Sequence, residues 1–127
     1  MKRTTAEWVR KAEDDRRVAI KLSRGREQFP DQICFHCQQS AEKYLKALME
    51  ESSLTVPYAH NLVAFLPLLT PHHGSLRSLR RGLDFLTRFA VDTRYPGDRA
   101  SKRQAATSLR WAERVRTECR KLLEIKA

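Results

Sequence analysis

Long apolar runs are missing from this 127-residue chain, and no stretch approaches the roughly 20 residues that a bilayer-spanning helix needs. Glycine and proline are scarce, at 4 and 5, and they gather in a few short clusters. That scarcity excludes a loop-rich design and points to long regular elements joined by brief connections. No segment shows the period-two alternation of a half-buried strand. Nothing at the N-terminus combines a positive start, an apolar run and a small-residue cleavage site, so a cytoplasmic location is expected. Cysteine is limited to Cys34, Cys37 and Cys119, an odd number, which suggests reduced thiols in a protein core. Cys34-Phe35-His36-Cys37 contains a CxxC, but a tetrahedral zinc site needs a second ligand pair, and a thioredoxin-like site needs a preceding strand. Neither is present, since the adjacent His72-His73 lacks helical spacing. No metal and no cofactor is expected.

Charge and helix formers are abundant. Net charge is +10, with Lys+Arg 25 against Asp+Glu 15. The excess is uneven: residues 1–60 hold 11 basic against 9 acidic side chains (+2), and residues 61–127 hold 14 against 6 (+8). Arginines outnumber lysines 17 to 8, which favours planar, bidentate contacts to phosphate or carboxylate. A polyanionic or nucleotide partner fits this balance, and so does a heat-adapted charged surface.

Apolar periodicity predicts a first helix from Thr4 to Ser23, with Trp8, Ala12, Asp15, Ala19 and Leu22 on one face and a Thr4–Glu7 capping box. Asp15 is anomalous, a carboxylate in an apolar stripe. Arg116, on the flank of the last helix's stripe, is its expected ion-pair partner, because an unpaired buried carboxylate is costly. The second helix opens at Phe29-Pro30-Asp31 with Asp31 as N-cap. It turns Cys34, Cys37, Gln38, Ala41, Leu45 and Leu48 inward and His36, Gln39, Lys43 and Lys46 outward. Gln38 requires partners as a buried amide. A short helix follows from Asn61 on Leu62, Phe65, Leu66 and Leu69. A fourth starts near Ser75 with Leu76, Leu79, Leu83, Leu86 and Ala90 inward. The last runs from Ala100 to Lys121. The fold expected is all-α, one domain over 1–127, an up-and-down antiparallel bundle of four long helices plus one short helix.

The second helix also carries a resemblance. Phe35-His36-Cys37-Gln38-Gln39-Ser40-Ala41-Glu42-Lys43-Tyr44-Leu45-Lys46-Ala47-Leu48 resembles the signature of the HEPN family (higher eukaryotes and prokaryotes nucleotide-binding). Trp8, Ala12 and Asp15 resemble its first helix. Tyr58-Ala59-His60-Asn61-Leu62 is similar to its Thr-His-x-Leu segment, with Ala59 replacing the usual Thr. Thr93-Arg94-Tyr95-Pro96 is similar to its Arg-Tyr-Pro segment.

The resemblance implies a homodimeric bundle. It also implies a companion of a minimal nucleotidyltransferase, a toxin–antitoxin-like pair, or a domain like the helical part of kanamycin nucleotidyltransferase. The family's nucleases use an Arg followed four to six residues later by a His. None of His36, His60, His72 or His73 has an Arg at that distance before it. Arg94 is able to hold a phosphate but not to shuttle a proton near neutral pH, so no catalytic residue is assigned and nuclease chemistry by the usual site is not expected.

Candidate nucleotide or phosphate contacts are Arg94, Tyr95, Arg88, His36 and Lys43. In a structural alternative, Tyr95 covers the bundle end and Arg94 neutralises a carboxylate. Phe85, Arg81 and Arg77 on the outer side of the fourth helix are candidates for the dimer interface. The leading reading is a non-catalytic nucleotide-binding or nucleotidyltransferase-partner protein. The alternatives are an RNA-cleaving enzyme with an atypical site at His36 or His60 with Arg94, and a purely structural interaction module.

Overall fold

The structure, a computed structural model, describes residues 1–92 and 95–126. Helix α1 spans Arg3–Arg24, α2 Pro30–Glu51, α3 Leu66–Leu69, α4 Arg80–Asp92 and α5 Lys102–Leu122. A 3₁₀ turn over Leu62–Phe65 leads into α3, and another over Gly74–Leu79 leads into α4. Among the described residues every regular element is helical, as the composition predicted.

Side-chain links between helices fix the topology. Arg16 bonds Glu113 and Glu13 bonds Arg116, steps that run in opposite senses, so α1 and α5 are antiparallel. Asp31 meets Ala100, Cys34 meets Ser108 and Tyr44 meets Arg120, so α2 and α5 run parallel. Between them the segment that leads into α4 sets out from His73, beside Ser52, and the chain re-enters at Ala100, beside Asp31. The result is an up-and-down bundle.

Helix α2 is its centre. Thirteen of its residues are buried, because α1, α4 and α5 all pack against it. The expected inner face holds, with Cys34, Cys37, Gln38, Ala41, Leu45 and Leu48 all buried. The outward assignment of Lys46 does not: it is buried on Glu42, with its ammonium 5.3 Å from the centre of the Trp8 ring. A central helix has no fully solvated side.

The termini differ from expectation. Thr4 is no N-cap. Lys2 takes that position without a side-chain cap, and Thr4 donates instead to Glu50 (2.7 Å) at the far end of α2. Asp31 lies in the first turn of α2 behind Phe29 and Pro30, where Oδ1 accepts the Ala100 N–H at 2.7 Å. Phe29 adopts φ 51°, the left-handed turn that swings α1 into α2. Helix α5 begins two residues later than predicted, behind a capping box in which Ser101 and Gln104 satisfy each other's backbone N–H. Gly82 lets α4 approach α5, since a methyl group there would overlap the Trp111 indole.

Candidate functional site: the basic end of the bundle

Carboxylates on α1 and α2 are committed to cations inside the fold. Asp15, only 13% exposed, receives His36 Nδ1 at 2.8 Å on one oxygen and the Lys43 ammonium on the other. Arg116 is not its partner, which corrects the sequence expectation. Arg116 instead grips Glu13 with Nε at 2.8 Å and Nη2 at 3.0 Å. The reason is register: Glu13 and Arg16 point toward α5, whereas Asp15 points toward α2. Tyr44 also donates to Glu13 and accepts from Arg120. Burial pushes the Glu13 carboxyl up, but the hydrogen bonds and charges of Arg116 with Tyr44 and Arg120 outweigh it, so the group titrates below its ordinary value. Burial and the Glu13 hydrogen bond push the Tyr44 phenol up to about 12.

A second cluster surrounds Glu42, 4% exposed. Its oxygens accept from Gln38 (3.2 Å), Lys46 (3.2 Å) and His60 Nδ1 (3.0 Å). Asn61 caps the turn that leads into α3, and His60 reaches back to α2. The His60 side chain is 62% exposed.

Several of the cations without a carboxylate partner gather where α1 ends and α5 begins. Lys21, Arg24, Arg26, Arg99, Lys102 and Arg110 have no carboxylate partner among the described residues, and only Arg110 bonds a neighbour, the Thr107 hydroxyl. Two clefts open there. One, about 720 Å³, lies between the α1–α2 turn and the start of α5, with Arg26, Phe29, Arg99 and Lys102 on its walls. Glu27 and Asp31 also line it, Asp31 already holding Ala100. The other, about 380 Å³, runs between α1 and α5, with Cys37 and Ser40 of α2 among its lining. Such a concentration of positive charge beside concave surface attracts polyanions.

The family model for the HEPN domain matches residues 5–122. The chain belongs to the HEPN domain family. Its fold is similar to that of TT1696 from Thermus thermophilus, with a TM-score of 0.79 and 23% identity over 92% of this chain and 96% of that one. No curated protein matches it.

The HEPN signature helix is therefore the buried centre of the bundle, and its conspicuous polar residues chiefly hold α1 and the loop before α3. His36 and Lys43, proposed as phosphate contacts, come together on Asp15 and are each about three-quarters buried. Arg88 is exposed and paired with Asp84 at 2.7 Å. Arg77 and Arg81 are exposed, while Phe85 is half-buried against Phe89, ring centres 4.4 Å apart. Tyr95 is 65% exposed, and Arg94 lies outside the described residues. Lys21, Arg24, Arg26, Arg99 and Lys102 of the basic end escaped sequence reasoning as a site. Their signal was the clustering of Lys21, Arg24 and Arg26 against Arg99 and Lys102, which only an antiparallel register of α1 and α5 joins. Among the described residues no group of three or more His, Cys, Asp and Glu is placed to hold a metal, and no helix is long and apolar enough to cross a membrane.

Proposed function

We propose that this chain is a non-catalytic HEPN protein that binds a nucleotide through its phosphates at the basic end of the bundle. The observation that carries the reading is the set of five cations, Arg24, Arg26, Arg99, Lys102 and Arg110, that line two clefts and have no carboxylate partner among the described residues, while the buried Glu13, Asp15 and Glu42 are committed to other cations. The missing Arg–His spacing supports the non-catalytic part, since phosphate binding needs fixed positive charge but hydrolysis also needs a proton carrier. Family resemblance adds self-association as a homodimer, for which Arg77, Arg81 and Phe85 on α4 remain the candidate surface, and a minimal nucleotidyltransferase as the partner of a toxin–antitoxin-like pair. Thermal denaturation with ATP, GTP and UTP tests the reading. A rise in Tm that shrinks with added salt is expected, and a flat response to all three refutes it.

One observation favours a second reading, an RNA-cleaving enzyme with an atypical site. Glu42 holds His60 by Nδ1 while the imidazole side chain stays 62% exposed, an arrangement suited to moving a proton. Cleavage of tRNA or mRNA that disappears in His60→Gln would establish that reading in place of the first.

A further inference from the structure

Long ion pairs tie helices α1 and α5 together. Glu13–Arg116 and Arg16–Glu113 bridge them near mid-length. Beyond that bridge, toward the basic end, the facing residues are small. Ala19 on α1, Cys37 and Ser40 on α2 and Ala112 on α5 are all buried and leave the space between the helices unfilled. Ile20 and Leu109, each half-buried, add apolar surface. Arg24 comes from α1 and Arg110 from α5, both exposed and neither engaged with a carboxylate.

We infer that this slot is a nucleoside-phosphate site: the base enters the apolar cleft between α1 and α5, and Arg24 and Arg110 clasp the phosphate. The inference deepens the nucleotide-binding reading and rests on it. Three features select the ligand. The volume, about 380 Å³, falls in the range of small-molecule sites. The lining of small and apolar side chains suits an aromatic ring but offers nothing to a polyanion by itself. The two arginines, one from each wall, match an anion attached to that ring, since guanidinium groups bind phosphate in a bidentate way. A purely apolar ligand would leave two cations beside it unanswered. Glu113, fixed by Arg16 at 2.9 Å, adds a hydrogen-bond acceptor at the bridged end, where an exocyclic amine of a base would find it. The larger cleft at Arg99 and Lys102 has two carboxylates among its walls, Glu27 and Asp31, against one in the slot, Glu113, which Arg16 already neutralises, and is the weaker phosphate site.

The test is titration of anthraniloyl-ADP into the purified chain, read by fluorescence anisotropy, beside unlabelled ADP by calorimetry and a 5′-phosphorylated oligoribonucleotide. Arg24→Gln with Arg110→Gln is expected to weaken ADP binding at least tenfold. Ala112→Leu, which fills the slot, should do the same while preserving the helical circular-dichroism spectrum. Arg99→Gln with Lys102→Gln, which lowers only the long-range positive field, should weaken ADP binding less than the Arg24/Arg110 pair does, with a difference that fades as ionic strength rises. Retained affinity in the Arg24/Arg110 pair with loss in the Arg99/Lys102 pair would move the phosphate to the other cleft and overturn the inference, while nucleotide binding itself survives. Slot-dependent binding of the oligoribonucleotide without ADP binding would assign the slot to an RNA end and overturn it also. So would an Ala112→Leu chain that changes sedimentation but not affinity, because the slot would then be an interface between copies. Failure of the wild-type chain to bind any of these nucleotides would remove the functional reading together with the site.

Discussion

The Glu13–Arg116 pair makes a sharp energetic prediction, because the sequence pointed to Asp15 instead. Arg116 is 14% exposed and Glu13 23%, and two hydrogen bonds of 2.8 and 3.0 Å join them. Removing one member of a buried pair costs about 3–5 kcal/mol, since the other is left charged and unanswered. Residual exposure and the second contact of Arg116 with Glu113, at 3.4 Å, reduce that here to about 2 kcal/mol. With a urea m-value of about 2 kcal/mol/M, Glu13→Gln and Arg116→Met should each lower the unfolding midpoint by about 1 M. In a double-mutant cycle the two should couple by about 1–2 kcal/mol. Asp15→Asn combined with Arg116→Met should be additive within about 0.5 kcal/mol, because Asp15 is held by His36 and Lys43. The pair also fixes a pH dependence. Glu13 has its folded pKa depressed below 4.5, so its contribution is complete above that pH and is lost as pH falls through the lower folded value. Wild type and Glu13→Gln should therefore converge in stability on acidification. Equal coupling of Arg116 to Asp15 and to Glu13 would refute the assignment, and so would a stability difference that persists once Glu13 is protonated.

Three further outcomes are expected. Gly82→Ala ordinarily stabilises a helix interior by about 1 kcal/mol, but here the new methyl would lie 2.7 Å from Trp111 Cζ3 and closer still to Cδ2 and Cε3. A net loss of about 1–3 kcal/mol in chemical denaturation is expected, and a gain would contradict the close approach of α4 to α5. Tyr44, raised from 10.0 to about 12, stabilises the fold below pH 10 and loses that contribution as pH climbs through 12. Absorbance at 295 nm should show a tyrosine ionisation near pH 12 that Tyr44→Phe removes. Cys34, Cys37 and Cys119 are buried with their thiols pushed up by burial, so Ellman's reagent at about pH 8 should react slowly with native protein and count three thiols in denaturant. Rapid labelling of native protein would count against a closed core.

Apolar spacing made the bundle legible from sequence. Leu62, Phe65, Leu66, Leu69, Leu76, Leu79, Leu83 and Leu86 all became core because their periodicity leaves a helix no other face to bury. The local ends of helices were harder. Thr4 and Asp31 are good caps by type, yet Glu50 and the Ala100 N–H claimed them, and neither competitor is near in sequence. Polar pairing was harder still. Asp15 is two residues from Glu13, and a turn of about 100° per residue sends those carboxylates to different helices. The choice between His36 with Lys43 and Arg116 is thus set by rotation about α1, which periodicity gives only to within a residue or two. Lys46 was misplaced for a related reason: the expectation of a wet outer face assumes a peripheral helix, and α2 is the central one.

The same pairing explains why the basic end exists. Fifteen carboxylates serve twenty-five cations. Burial makes the interior claim first, since an unpaired charge there is far costlier than one in water. Glu13, Asp15 and Glu42 are accordingly fixed on Arg116, Lys43 and Lys46. The cations without partners are therefore solvent-facing, and the antiparallel arrangement of α1 and α5 brings two runs of them together. Positive charge at that end is a consequence of how the core is held. Moving one carboxylate there should weaken anion binding without loosening the bundle. Ala106→Glu, at an exposed position one turn from Lys102 and Arg110, provides that test. It should reduce ADP affinity several-fold at low salt, with the difference fading as ionic strength rises and Tm almost unchanged. An affinity indifferent to that charge would show that the unpaired cations are ordinary surface, and the electrostatic argument for the site would fail.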